Sequence, residues 1–364
     1  MNDFYDAIVV GAGPAGSICA HKLAKNGKSV LLIERKKMPR NKLCTGMIAA
    51  DSIDIINKEI GSFPPILCVW PFSYKGFKYK MAKGTPFINM RIDENEVCYS
   101  VRRCDFDHWL TLEASKQGAH VIDNCSLVNI EEKNQDSVTV MLLQTRYNGE
   151  KVFEKIKTNY LVAADGMDSS LRKILFPERD SITKCFCRQD YYVGDCDLDP
   201  EYYYYFRYNT AVDEPIWSFR KDDCIVIGYV AYPAKTIDEK REKILDYFKR
   251  EYKLKISGLK FSEVCCESTN FTVAKMKKGK LDFVFGCEDA PILFVGEAGE
   301  MMDSMSAGIA VAMESGCYAA EAILSYEKAA TESLVKIYQN FSNTVIEQIS
   351  EKWMAFYNRF SRFF

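Results

Sequence analysis

Asp6-Ala7-Ile8-Val9-Val10, followed by Gly11-Ala12-Gly13-Pro14-Ala15-Gly16, is the stretch that decides the fold. The first five residues are short, apolar and bounded by glycine, as a buried parallel strand is. The next six form a G-x-G-x-x-G. Ser17–Asn26 then reads as a helix, with Ile18, Cys19, Leu23 and Ala24 spaced for burial and Gly27 at the C-cap. Ser29–Ile33 is a second strand, and Glu34 follows it. A lone glycine pattern is weak; one that leaves a strand, opens a helix and is followed by an acidic residue at the end of the next strand is a dinucleotide fingerprint. Gly11 makes the tight turn, Gly13 lets the main chain approach a pyrophosphate, and Gly16 lets helix and strand pack closely. Pro14 and Ala15 carry the turn into the helix, whose N-terminus offers N–H groups and a positive dipole end to phosphate. Glu34 is placed to accept from ribose hydroxyls. The fingerprint alone does not choose between FAD and NAD.

Composition narrows the class. The 364 residues suggest two or three domains. They are 48% hydrophobic and 27% charged, with a net charge of −2, which is ordinary globular composition with no bulk field for nucleic acid. No apolar run reaches the roughly 18–20 residues that span a bilayer, and the N-terminus has no basic stretch of a signal peptide. The reading is a cytoplasmic protein. The 14 cysteines contain no Cys-x-x-Cys, and the 3 histidines have no paired spacing, so neither a protein-held metal nor a Ser-His-Asp triad is expected.

Residues 70–100 break the βα alternation of a simple NAD dehydrogenase with short strands and turns. Three later segments then carry a resemblance. Arg103-Cys104-Asp105-Phe106-Asp107-His108-Trp109-Leu110 resembles the R-x-x-F-D-x-x-L helix start of FAD-dependent hydroxylases and their reductase relatives. Asp165-Gly166-Met167-Asp168-Ser169-Ser170-Leu171-Arg172 resembles their D-G-x-x-S-x-x-R. Gly296-Glu297-Ala298-Gly299 resembles their late G-D-A, with Glu297 in place of Asp. Over roughly residues 5–325 the chain resembles glutathione-reductase-type flavoproteins of para-hydroxybenzoate-hydroxylase topology. That implies an α/β fold: a Rossmann-like FAD-binding domain, an inserted antiparallel-sheet substrate domain and a C-terminal helical segment. The expected division is 1–70, 97–180 and 281–330 for FAD, 71–96 and 181–280 for substrate, and 331–364 for the last segment.

Within that superfamily three stretches resemble the geranylgeranyl reductase family. Pro39-Arg40-Asn41-Lys42-Leu43-Cys44-Thr45-Gly46 is similar to its P-x-x-K-x-C-G-G, which lies over the flavin. Pro215-Ile216-Trp217-Ser218-Phe219-Arg220, with Gly228-Tyr229-Val230 beyond, is similar to its Y-x-W-x-F-P and G-x-G. Gly308–Gly316 is similar to its flavin-side helix G-I-x-x-A-M-x-S-G. The resemblance implies contacts to FAD from Arg35, Lys42, Cys44, Thr45, Arg103, Asp165, Gly296 and Glu297, and from the helix start at Ala307, Gly308 and Ile309. It implies a substrate wall from Trp217, Phe219 and Gly228. Tyr203 and Tyr205 join that wall, from a tyrosine run read as a strand with one face toward ligand. Cys44 is the candidate for chemistry. Arg220 is read as the start of a surface turn with Lys221-Asp222-Asp223.

The function so implied is reduction of carbon–carbon double bonds in an apolar, isoprenoid-like substrate by hydride from reduced FAD. NAD(P)H or a reduced carrier such as ferredoxin would refill the flavin. A flavin monooxygenase acting on an aromatic is the alternative, and a non-catalytic flavin-binding protein a further one. The helical spacing of Leu334, Ile337, Tyr338, Phe341, Val345, Ile349 and Trp353 predicts packing against the flavin domain. The aromatic, basic end that follows them is a candidate for weak peripheral contact with a membrane.

Overall fold

The structure is a computed structural model that describes residues 1–93, 96–181, 185–230, 237–267, 281–302, 308–329 and 331–360. Its first sheet grows from the apolar strand of the fingerprint. Strand β1 (Phe4–Val10) leads into helix α1 (Pro14–Lys25) and strand β2 (Val30–Ile33). Proline at the first turn needs no hydrogen bond there, and Gly27 just beyond the helix takes φ +81°, so both ends follow from residue type. A small sheet comes next, in the order β3-β7-β4: β3 (Met47–Ile48), then helix α2 (Ala50–Glu59), β4 (Cys68–Ser73) and β7 (Tyr99–Val101). Between β4 and β7 the chain makes the hairpin of β5 (Gly76–Lys80) and β6 (Ile88–Arg91). Helix α3 (Arg103–Lys116) and β8 (His120–Ile122) return it to the first sheet.

Strands β9 (Cys125–Lys133), β10 (Val138–Thr145) and β11 (Lys151–Ala163) form an antiparallel extension. The far end of β11 lies parallel to β1. With β17 (Gly286–Cys287) and β18 (Ile292–Phe294) beyond β11, the sheet order β17-β18-β11-β1-β2-β8 runs outward in both directions from the β1/β11 pair. That pair is the topological switch point, where open α/β sheets bind ligand beyond their C-terminal strand ends. Helix α4 (Ser170–Leu175) leaves the end of β11.

The second large sheet is built from β12 (Cys185–Asp195), β13 (Tyr202–Phe206), β14 (Ile216–Lys221), β15 (Cys224–Val230) and β16 (Lys255–Glu267), with β5 and β6 at one edge. Its pairings are antiparallel except β5 with β13, which is parallel. A parallel pair needs a long crossover, and the chain between Lys80 and Tyr202 supplies one. Helix α5 (Ile237–Tyr252) covers one face: Ile244, Leu245, Tyr247 and Phe248 pack on Tyr204, Phe206, Ile216, Ile227 and Tyr229.

Strands β17 (Gly286–Cys287) and β18 (Ile292–Phe294) complete the first sheet. Helix α6 (Gly308–Ala329) then packs beside α1 so closely that a Cβ on Gly316 would meet Ala15 O at 2.2 Å. Helix α7 (Leu334–Phe360) buries Leu334, Val335, Tyr338, Val345, Ile349 and Trp353 in the core of the first sheet. The Trp353 indole N–H donates to Met302 O at 2.8 Å. The aromatic, basic residues at the very C-terminus lie outside the described side chains. Among the described residues, no helix is long and apolar enough to cross a membrane.

Candidate FAD and substrate site

The three fingerprint glycines do different work. A Cβ on Gly11 (φ +108°) would sit 2.4 Å from Ala164 O, and one on Gly16 would sit 1.9 Å from Gly11 O. Both residues are demanded by the protein's own main chain. A Cβ on Gly13 would meet nothing nearer than the Arg40 guanidinium at 3.6 Å. The fold has room for a side chain there, so the space Gly13 leaves is space for a ligand. Helix α1 has no side-chain cap and no acidic residue in its first turn, which keeps its positive end available. Glu34 is 4% exposed and accepts from Ala12 N at 3.3 Å, facing the same turn. A dinucleotide fits this arrangement: a cradle that a side chain at Gly13 would fill, an uncapped helix end and a carboxylate at the end of the next strand.

Across the switch point, Asp165 follows β11. Its Oδ2 accepts from Ser170 N at 2.7 Å and Leu171 N at 3.4 Å, whereas its Oδ1 is buried with no protein partner. Burial raises the Asp165 pKa, against the opposing pull of those hydrogen bonds. An orphaned acceptor at this place suits a hydroxyl of a bound cofactor. Arg172 locks the neighbouring motif: its guanidinium donates to Glu297 O at 3.1 Å, to Ala298 O at 2.7 Å and to Met167 O. That holds Gly296 and Glu297 beside Asp165. Glu297 Oε2 lies 3.6 Å from Lys42 Nζ, and Glu297 Oε1 lies 3.5 Å from where a Gly308 Cβ would stand. Gly308 and the buried Ile309 begin α6 at this point. Ala307 lies outside the described residues. Arg35 is exposed, directly after Glu34.

Two residues that sequence reasoning left out join these parts. Arg40 Nε lies 2.8 Å from Glu34 Oε2, and Arg40 NH1 lies 3.0 Å from Asp107 Oδ2. Asp107 is fully buried and also takes Arg103 Nε at 2.8 Å. Arg103 in turn lies against the Cys44 thiol. A line of alternating charge thus runs from the ribose end of the fingerprint to Cys44. Both Arg40 and Asp107 stood inside quoted motifs, and their mutual distance was the missing information.

The face of the second sheet opposite α5 carries the aromatic wall. Register places Tyr79, Tyr205, Trp217, Gly228, Gln189 and Glu263 in one row across six strands. The adjacent row holds Phe77, Tyr203, Phe219, Val226, Tyr191 and Phe261; Tyr203 and Phe219 stack at 5.9 Å and Tyr191 and Phe261 at 4.1 Å. All five residues expected of a substrate wall are therefore on one face. A Cβ on Gly228 would stand 1.9 Å from the Trp217 indole nitrogen, so the ring lies flat across the glycine. The face meets Met47 and the buried Tyr74, next to the Cys44 stretch.

Arg220 lies within β14 instead of opening a turn: it is partly buried, donates to Gly194 O at 2.8 Å and pairs with Asp195. Lys221, expected in that surface turn, is buried. It follows Trp217 and Phe219 on alternate positions of β14 and so points to the same face. At the other end of the row Tyr191 donates to Glu263 Oε2 at 2.8 Å. Burial raises the pKa of both groups. Neither Lys221 nor Glu263 was singled out from sequence; strand parity could have found the first.

A Rossmann-type sheet with its fingerprint, a second motif across the switch point and a one-sided sheet above them define a flavoprotein. The chain belongs to the FAD binding domain family, which it matches over residues 5–351. It is 25% identical to a digeranylgeranylglycerophospholipid reductase of Methanosarcina acetivorans, over 93% of this chain and 80% of that protein. To the reductase of the same name from Methanocaldococcus jannaschii it is 27% identical, over 68% of this chain and 59% of that one. Among solved structures it is similar to a geranylgeranyl bacteriochlorophyll reductase-like protein of Thermoplasma acidophilum, with a TM-score of 0.74 and 20% identity over 97% of this chain and 85% of that one. It is also similar to the flavin-dependent halogenase CmlS, with a TM-score of 0.70 and 16% identity over 96% of this chain and 63% of that one. The two structural likenesses show a shared fold. The chain is a member of an FAD-dependent oxidoreductase family.

Proposed function

We propose that the protein reduces carbon–carbon double bonds in a largely apolar, isoprenoid-like substrate. The observation that carries this reading is the aromatic face of the second sheet, which abuts the Cys44-Thr45-Gly46 stretch. The names of the relatives, reductases of digeranylgeranyl lipids, agree with it. FAD, when reduced, supplies the hydride. The residues bind and orient. Gly11, Gly13 and Gly16, with Pro14 and Ala15, would hold the pyrophosphate. Glu34 takes the ribose. Asp165, Gly296, Glu297, Lys42, Arg103 and Thr45 surround the flavin. The start of α6 at Gly308 and Ile309 would offer its N–H groups to the pyrimidine edge of the flavin. Tyr203, Tyr205, Trp217, Phe219 and Gly228 shape an apolar slot, and Cys44 stands where a proton is delivered. In this reading 1–70, 97–180 and 281–330 hold FAD, 71–96 and 181–280 hold substrate, and 331–364 buttress the first. NAD(P)H or a ferredoxin-like carrier reduces the flavin.

The test is anaerobic. The yellow holoenzyme is reduced chemically and offered a geranylgeranyl lipid. Return of the oxidised flavin spectrum, with a lipid heavier by two hydrogens, is the expected result. Reoxidation that waits for air and yields a hydroxylated aromatic would replace this reading with the monooxygenase.

A further inference from the structure

Resting on that reductase reading, we propose that the β5–β6 hairpin docks the protein on an anionic lipid bilayer, from which the prenyl chain is taken. Strand β6 is the outermost strand of the second sheet among the described residues, so one side of its main chain has no neighbour there. Native proteins blunt such edges with charge, proline or a covering segment. This edge instead carries large apolar side chains: Ile88 is 43% exposed and Met90 is 51% exposed. Register sets Met90 beside Phe77 and Ile88 beside Tyr79, and carries those two on to Tyr203 and Tyr205. Tyr205 in turn lies opposite Trp217, and Tyr203 stacks on Phe219. The exposed pair is thus the outer end of the two rows that form the substrate wall.

The charge of the hairpin selects the partner. Residues 76–92 contain Lys78, Lys80, Lys83 and Arg91, and no Asp or Glu. Among the described residues none of these four cations pairs with a carboxylate. Lys78 lies 4.1 Å from the Tyr202 ring, and Lys80 donates to Thr85 O at 2.6 Å. Lys83 and Arg91 are exposed. By contrast Lys75, Lys253 and Lys260, exposed around the same sheet, each have a carboxylate partner, in Glu201, Asp197 and Asp223. The hairpin is therefore a local excess of positive charge on a chain whose net charge is −2. Such an excess is drawn to anionic headgroups.

Strand alternation puts Ile88 and Met90 on one side of the edge and Asn89 and Arg91 on the other. An edge-on approach brings both sides to a surface. The apolar pair enters the acyl boundary, while the long cationic side chains reach lipid phosphates on their flexible stems. A long prenyl chain is driven out of water into the bilayer, so an enzyme that acts on one must meet it there. A second copy of the chain, paired edge to edge through β6, would set like charges against each other. An acidic soluble protein would answer the cations, but it gives no reason for Ile88 and Met90 to stand exposed in line with the substrate wall.

Cosedimentation of the oxidised holoenzyme with vesicles makes the test. The protein should pellet with vesicles of phosphatidylcholine mixed with phosphatidylglycerol, and far less with phosphatidylcholine alone. Binding to the mixed vesicles should weaken steeply as salt is raised, a readout that needs no variant. Lys83→Gln and Arg91→Gln should each weaken it about fivefold. The double variant Ile88→Ser/Met90→Ser should weaken it at least about tenfold. With anaerobically reduced holoenzyme, both sets of variants should reduce a detergent-dispersed geranylgeranyl lipid as the wild type does, and the same lipid in mixed vesicles more slowly. Holoenzyme that stays in the supernatant with mixed vesicles, or pelleting that all these variants leave unchanged, overturns the proposal, even where the dispersed lipid is reduced. Hairpin-dependent binding of a ferredoxin, or of a second copy, in place of vesicles also overturns it. Hairpin-dependent pelleting of a protein whose reduced flavin no geranylgeranyl lipid reoxidises upholds the docking surface and overturns the reductase reading.

Discussion

At the C-terminal ends of β1 and β11 the site is made of main chain; on β12 to β16 it is made of side chains. Gly11 and Gly16 are glycines because a Cβ would enter carbonyl oxygens of the protein itself, and Gly13 is one although the protein leaves it space. In the second sheet, residue identity is set by strand parity: one side of each strand feeds α5, the other meets the Cys44 stretch. The contrast teaches where tolerance lies. A ligand surface built from peptide groups is destroyed by adding an atom, whereas one built from side chains is retuned by exchanging them.

The sharpest break of that contrast is within the fingerprint. Gly16→Val should yield no folded protein, since the added carbons enter the Gly11 carbonyl. Gly13→Asp should fold, with an unchanged far-ultraviolet dichroism spectrum, yet purify colourless because its carboxylate faces the pyrophosphate. A yellow Gly13→Asp protein would show that the cradle lies elsewhere. Next in size is Asp107→Asn. It strands the buried Arg103 and the partly buried Arg40, and unfolding in denaturant should show a loss of roughly 3–5 kcal/mol. Smallest is Gly228→Ala in the second sheet. The methyl must tilt the Trp217 ring at a cost of about 1–3 kcal/mol. Holoenzyme should stay yellow while tryptophan emission shifts, a shift absent when Trp217→Phe is added. Loss of colour in that variant would erase the division between the two regions.

The same contrast explains what the sequence made legible. The strand–turn–helix at Asp6–Asn26 was readable because main-chain geometry restricts residue type, position by position. The start of α3 at Arg103 was readable for a similar reason, through its local motif. Lys221 was not, because Arg220-Lys221-Asp222-Asp223 has the composition of a solvated turn. Only the pairing of β14 with β15, and the approach of Thr45 and Val101, bury it. Glu263 sits on a strand whose partner is far away in sequence, so its place beside Tyr191 depends on register.

The one-sided covering of the second sheet has an evolutionary corollary. Ser218, Ile216, Tyr204 and Phe206 keep that layer folded against α5, while Trp217, Phe219, Tyr203 and Tyr205 alternate with them and owe α5 nothing. Selectivity can therefore drift along odd-numbered positions of β13 and β14 without melting the scaffold. A saturation library confined to those positions should retain most of its members as foldable, yellow proteins with altered appetites.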